Sequence, residues 1–285
     1  MLPKGAVPDD SVIQGMHDEM LPLIDRHTVA IVAYYQGAMH QHGTGTLVRF
    51  ADYRFLVTAS HVVKQFLEGK EIYRDIYLLV ENGHEADLVP LHGEYFVTKT
   101  ARDKSSQKYA SDGDDLDVAL WNLGEKTYSK LSNKAFLNRS HISITAELTT
   151  GLYFLVGFPC SWATCDLVNR SFFFKAFRYI AEPLLVTETL PEYNPRLHMA
   201  LRLHMSGVES FQLQGISGCS IWKLSDLPVN ATWNANQARI VAVQTGVFSR
   251  SAAIKGTKWQ HVVTLLSQFA PELIPSLRLW LPGPE

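Results

Sequence analysis

Gly215-Ile216-Ser217-Gly218-Cys219-Ser220-Ile221-Trp222, near the end of a chain of 285 residues, is the last of three stations that together point to one fold. Thr58-Ala59-Ser60-His61-Val62 is the first, and Asp115-Leu116-Asp117-Val118-Ala119-Leu120-Trp121 is the second. A histidine, then an aspartate, then a serine between glycines supply the parts of a serine nucleophile. A serine hydroxyl is a poor nucleophile near neutral pH and needs a base within hydrogen-bond reach. Imidazole suits that task, because its pKa lies near working pH. The base needs a carboxylate to fix its tautomer, and the developing oxyanion needs backbone N–H donors. Gly215 and Ser217 are the candidate donors, since glycine at 215 lets the backbone turn both N–H groups toward one spot. Gly218 leaves room behind the nucleophile.

Each residue alone has an ordinary reading. A serine between glycines is usually a turn. His61 is one of 11 histidines and by itself reads as a hydrogen-bonded packing residue. Asp117 is less ordinary, because an acid inside an apolar strand must find a partner or carry a large desolvation cost. Asp114 and Asp115 are rival acids; Asp117 is preferred because Val118-Ala119-Leu120 follows it directly. The three stations in order outweigh the three separate ordinary readings.

Around the stations the chain reads as strands. Val29–Tyr35, Gly43–Val48, Arg54–Thr58, Ile76–Val80, Val118–Trp121, Leu152–Val156, Ser171–Phe177, Leu201–His204 and Arg239–Val243 are short β-prone runs divided by Gly, Pro and polar clusters. That pattern predicts an all-β barrel or sandwich. Two segments read as helices. Ser11–Leu23 places Val12, Ile13, Met16 and Met20 at helical spacing, and Trp259, Val262, Val263, Leu266 and Phe269 do the same near the end. Pro271 and Pro275 discourage continuation of the second. The polar stretch 101–115 reads as an exposed loop, and 124–145 as a connection between two lobes.

Composition narrows the function class. A net charge of −2 argues against a nucleic-acid partner or a membrane surface, which usually need a basic face. No run of about 18 apolar residues predicts a membrane-spanning helix. The first residues carry Asp9, Asp10, Asp18 and Glu19 rather than a basic-then-apolar leader, so the expected location is cytoplasmic. Three cysteines, Cys160, Cys165 and Cys219, make no disulfide framework, although a tight loop would let Cys160 and Cys165 pair. Their spacing fits no zinc pattern.

The stations resemble those of the trypsin- or chymotrypsin-like serine peptidases, in particular the bacterial branch that includes the glutamyl endopeptidases. Thr58-Ala59-Ser60-His61-Val62 resembles the family's Thr-Ala-Ala-His block, Asp117-Val118-Ala119-Leu120 its acid strand, and Gly215-Ile216-Ser217-Gly218 its serine block. Gly43-Thr44-Gly45-Thr46-Leu47-Val48, Gly157-Phe158-Pro159 and Val241-Ala242-Val243-Gln244-Thr245-Gly246 are similar to three further family segments. The resemblance implies an all-β, chymotrypsin-like fold of two six-stranded barrels with a C-terminal helix. It divides the chain into a partly helical N-terminal extension (1–27), a first barrel carrying His and Asp (28–130), a linker and second barrel carrying Ser (131–256), and a C-terminal helix and tail (257–285). It also implies a serine endopeptidase with His61, Asp117 and Ser217 as triad and the N–H groups of Gly215 and Ser217 as oxyanion hole. Such an enzyme acts on a protein or peptide substrate and takes no metal or cofactor.

Departures from the family pattern matter as much. Ile216 stands where activated digestive relatives hold an aspartate that pairs with a new N-terminal amine, and no Ile-Val-Gly-Gly start is present. Activation by N-terminal cleavage is therefore not expected, and a regulatory protein partner is the alternative control. Ser11–Leu23 is a candidate contact for such a partner, with plain packing on the barrel as its simpler reading. Cys219 reads as a packing residue, since a cysteine nucleophile would stand at 217. The resemblance points to Phe211, Gln212, Gln244, Thr245 and Gly246 as specificity-pocket positions. Phe211 stands where trypsin has its basic-selective aspartate, and Gln244 near the glutamyl endopeptidases' histidine. A second reading keeps the fold but makes it a catalytically silent or latent module that senses or binds a protein.

Overall fold

Two antiparallel β-layers share one core cluster, and a computed structural model describes them through residues 10–35, 38–68, 75–82, 85–98, 115–166, 171–185, 190, 193–203, 213–224, 234–248, 251–278 and 280. Phe211, Gln212 and most of the polar stretch 101–115 lie outside these residues. The first layer holds β1 (Thr28–Tyr35), β2 (Ala38–Phe50), β3 (Tyr53–Ala59), β4 (Ile76–Asn82), β5 (Glu85–Pro90), β6 (Gly93–Val97) and β7 (Val118–Leu123). Its order is β5-β4-β1-β2-β3-β7-β6, a curled seven-stranded half-barrel. The second layer is a closed six-stranded barrel made of β8 (Tyr153–Gly157), β11 (Phe177–Pro183), β12 (His198–Arg202), β13 (Ser220–Lys223), β14 (Arg239–Phe248) and β15 (Ala253–Lys258). A separate hairpin pairs β9 (Ala163–Asp166) with β10 (Ser171–Phe174).

The expected double barrel with its C-terminal helix is the observed architecture, with one more strand in the first layer than six. The expected strand over 171–177 splits at Lys175-Ala176: β10 joins the hairpin and β11 joins the barrel. An apolar run announces a strand and not the sheet it will join.

Helices α1 (Asp10–Asp25), α2 (Ser60–Glu68), α3 (Glu125–Tyr128), α4 (Trp259–Phe269) and α5 (Ile274–Leu277) complete the fold. In α4 the apolar positions Trp259, Val262, Val263 and Leu266 are all fully buried, as their spacing requires. Each such side chain is worth roughly 1.5–3 kcal/mol when removed from water. In α1, Met16, Met20 and Ile24 join the same core cluster as Phe55 and Val57 of the first layer and Phe154 and Trp222 of the barrel. That face of α1 is therefore covered by the molecule itself. Pro271 opens a short 3-10 turn and Pro275 stands at the start of α5, so the prolines end α4 and begin the next turn.

Two buried histidines make stability depend on pH. His27, at the entry to β1, and His198, on β12, are each pushed down to about 4, first by burial and next, for His198, by the Lys255 cation. Both stay neutral in the fold, whereas an unfolded histidine takes a proton near pH 6.5. Acid therefore favours the unfolded chain, and their stabilisation is whole above about pH 6.5 and lost as pH falls toward 4. The expected loss is on the order of 2–3 kcal/mol per histidine over that window. Melting curves between pH 7 and pH 4.5 check it: the midpoint falls, and falls less steeply in His27→Leu.

Candidate active site

β3 and β7 are neighbours, with Ala59 opposite Val118. That register puts the residues just beyond their paired ends, His61 and Asp117, side by side. Chain reversal at Ala59 into α2 sets His61 in the first helical turn, with its side chain 44% exposed against 7% for Asp117. His61 meets the carboxylate twice. Its backbone N–H donates to Asp117 Oδ1 at 2.9 Å, and its ring Nδ1 lies 2.7 Å from Oδ2. The carboxylate can only accept, so the ring proton sits on Nδ1 and Nε2 is left as the free base. Ser60 N–H donates to the Asp117 carbonyl at 3.0 Å, and the Ser60 hydroxyl donates to the Val118 carbonyl at 2.7 Å. Asp115, the rival acid, faces elsewhere: its carboxylate pairs with Lys255 at 3.1 Å.

The serine loop comes from the second layer, and the first layer grips it. Thr44 on β2 donates its N–H to the Ser217 carbonyl and its hydroxyl to the Gly215 carbonyl, both at 2.9 Å. The same hydroxyl accepts from Phe158 N–H at 2.9 Å, and the Thr44 carbonyl accepts from the Thr58 hydroxyl at 2.7 Å. On the other side, Gly218 N–H donates to the Gln244 carbonyl and Gln244 N–H to the Cys219 carbonyl, both at 2.8 Å. Gly218 has φ +94, and a Cβ there would lie 2.1 Å from both the Thr44 carbonyl and the Thr58 hydroxyl, and 3.0 Å from Ala59 N. The loop is thus pressed against the end of β3, two residues before His61. Among the described residues no hydrogen bond joins the Ser217 hydroxyl to the His61 ring, and such bonds often tighten only when substrate arrives.

Cys160 N–H donates to the Gln214 carbonyl at 2.6 Å. A trans peptide sends its N–H opposite to its carbonyl, so the Gly215 N–H points away from Cys160. Gly215 adopts φ +99, and any Cβ would strike Cys160 Sγ at 2.6 Å. Among the described residues neither the Gly215 nor the Ser217 amide is hydrogen-bonded, so both remain available as donors. Ile216 is fully buried, against the bare Cα of Gly157. An apolar side chain thus anchors the loop at the position before the serine.

Cys160 and Cys219 are thiols outside any disulfide. Burial pushes Cys160 up to about 11 and Cys219 well above the ordinary thiol range. Neither is a thiolate near neutral pH. Of the expected pocket positions, Gln244, Thr245 and Gly246 lie on β14 directly behind the serine loop. Gln244 is fully buried, and neither its amide oxygen nor its amide nitrogen finds a partner among the described residues. The roles of Thr44 and of the Cys160 amide were not readable in sequence; a threonine between two glycines in a strand was the only visible signal.

No family model matches the chain, and no curated protein matches it in sequence. Solved structures do. It is similar to the scabies mite inactivated protease paralogue S-I1 at 13% identity, with a TM-score of 0.52 over 87% of this chain and 96% of that one. It is similar to GrC at 13% identity, with a TM-score of 0.50 over 89% of this chain and 97% of that one. A Glu endopeptidase is similar at 13% identity, with a TM-score of 0.47 over 85% of this chain and 90% of that one. No described helix is long and apolar enough to cross a membrane. With the strand orders given above, the likenesses to the mite paralogue and to GrC establish that the chain has the double β-barrel fold of the trypsin/chymotrypsin-like serine proteases.

Proposed function

We propose that the chain is a serine endopeptidase. Ser217 Oγ attacks the scissile carbonyl of a protein or peptide, while His61 Nε2 takes its proton and passes it to the leaving amine. Asp117 holds the ring and balances the imidazolium charge. The N–H groups of Gly215 and Ser217 bind the oxyanion, and water then releases the acyl group from Ser217 by the same steps. The observation that carries this reading is the two-point seating of His61 on Asp117, which leaves Nε2 free.

The rival is a catalytically silent module. One neighbour of this fold is by name an inactivated protease paralogue, so the fold alone does not decide between them. Two features favour the enzyme: all three residue types are kept, and both oxyanion amides are unengaged among the described residues. We place the activity in the cytoplasm and infer that a partner restrains or directs an already formed site, since Ile216 offers no acid for an N-terminal amine to pair with. Digestion of a fluorescent unfolded protein by the wild type and by Ser217→Ala tests the reading. Cleavage by the wild type alone is expected, and equal cleavage by both overturns it.

We place Gln244 beside a polar primary pocket: it bonds the serine loop, and neither polar atom of its buried amide finds a partner among the described residues, which favours a polar substrate side chain there. Leaving such a group unsatisfied costs roughly 1–3 kcal/mol. Gln244→Met, of similar size, is therefore expected to raise stability by about 1 kcal/mol. It is also expected to flatten the preference for polar side chains in a peptide library cleaved by the enzyme. Thermal unfolding and library profiling of the variant check both halves.

A further inference from the structure

The carboxylate that orients His61 stands on a loop, and that loop is held from the opposite barrel. Asp117 has φ +48, a left-handed conformation that aspartate adopts only at a cost. Surrounding contacts must therefore hold it there. The first layer holds the downstream end. Ser60 N–H donates to the Asp117 carbonyl, and the hydroxyls of Ser60 and Thr98 donate to the Val118 carbonyl.

The second barrel holds the upstream end. The Thr257 hydroxyl on β15 donates to the Leu116 carbonyl at 2.6 Å. His198 Nε2 on β12 lies 2.7 Å from the Asp115 carbonyl. Asn194 N–H donates to His198 Nδ1 at 3.1 Å, so the ring proton is on Nε2, where it donates to Asp115. Lys255 Nζ on β15 donates to Asp115 Oδ2 at 3.1 Å. Every carbonyl from Asp115 to Val118 is thus taken, the first two by one barrel and the last two by the other.

Lys255 is the unexpected member. Its side chain is 5% exposed in the wall of a barrel, and Asp115 is 17% exposed. A buried ion pair is seldom the most stable filling for such a site, because apolar residues of the same volume avoid the desolvation cost. An ammonium group there calls for a reason other than packing, and its partner lies two residues before the acid.

We propose that Lys255, with His198 and Thr257, forms a positioning set. From the second barrel it fixes Asp115-Leu116, so that Asp117 meets His61 only when the two barrels are docked. These residues do not touch the reacting atoms; they act through Asp117. The inference rests on the endopeptidase reading for its effect on rate, and on geometry alone for its effect on the His61–Asp117 bond.

The test compares Lys255→Met, Asp115→Asn and the double variant with the wild type. It reads three quantities: the rate of Ser217 labelling by a fluorophosphonate, the melting temperature, and the downfield NMR signal of the His61 Nδ1 proton. Each single variant breaks the Lys255–Asp115 pair and unbalances its charge, so it is expected to melt lower and to label about tenfold or more slowly, because small misplacements of a catalytic group carry large rate losses. The double variant removes both charges of the pair. It is expected to regain its melting temperature, yet to keep the slow labelling and a weakened downfield signal. A double variant that labels at the wild-type rate with an intact signal overturns the proposal and leaves the ion pair a structural element only. Should the single variants fail to fold, the double variant carries the test by itself. If the wild type does not label at all, the endopeptidase reading falls, and the NMR signal alone decides for or against the positioning set.

Discussion

Asp117→Asn is expected to slow acylation of Ser217 by about four orders of magnitude while the protein stays folded. The reason is a proton in the wrong place. The native carboxylate only accepts, at 2.9 Å from the His61 amide and 2.7 Å from Nδ1. An asparagine can still accept the backbone N–H through its oxygen, which preserves the loop. Its NH2 group then faces Nδ1 and donates to it, moving the ring proton to Nε2. Nε2 can no longer take the serine proton, and nothing balances an imidazolium. Single-turnover labelling of the variant checks the rate, and circular dichroism checks the fold. A loss of less than about tenfold would separate Asp117 from the reaction, since a working orienter is worth far more.

Gly218→Ala is expected to cost the fold about 3 kcal/mol or more. Its φ of +94 strains any side chain, and the new methyl would lie 2.1 Å from the Thr44 carbonyl and the Thr58 hydroxyl. Those two atoms are bonded to each other and belong to neighbouring strands of the first layer, so neither can retreat alone. The damage falls where the layers meet, because Thr44 also carries the bonds to Ser217 and Gly215. Gly246→Ala is the control. Its nearest neighbour would be the flexible end of Lys255 at 3.4 Å, and its φ is not left-handed. Denaturant unfolding should show a large loss at 218 and under about 1 kcal/mol at 246.

These expectations show what the amino-acid sequence carries. The serine block was legible because two of its positions, 215 and 218, need positive φ, and glycine marks such positions openly. Helix α4 was legible because its apolar face repeats at helical spacing. Helix α2 was missed: it begins Ser60-His61-Val62-Val63, and a pair of valines after a strand looks like more strand. Of the two acids weighed in the sequence, Asp117 meets His61 and Asp115 meets Lys255. What the sequence could not announce is the reach across the barrel. Lys255 is 140 residues from Asp115 and His198 is 83, and only barrel register brings them together. The simpler sequence reading of the first helix, packing on the barrel, is what α1 does, with Met16 and Met20 in the shared core. Which side chains of the two layers it meets was not readable.

Ser217 is expected to react as a nucleophile in the isolated protein. Intact-mass analysis after treatment with a fluorophosphonate, with Ser217→Ala alongside, checks it. One adduct per wild-type chain, located on Ser217, is expected, and none on the variant. A folded wild type that takes no adduct, or an adduct of equal yield on Ser217→Ala, would contradict it.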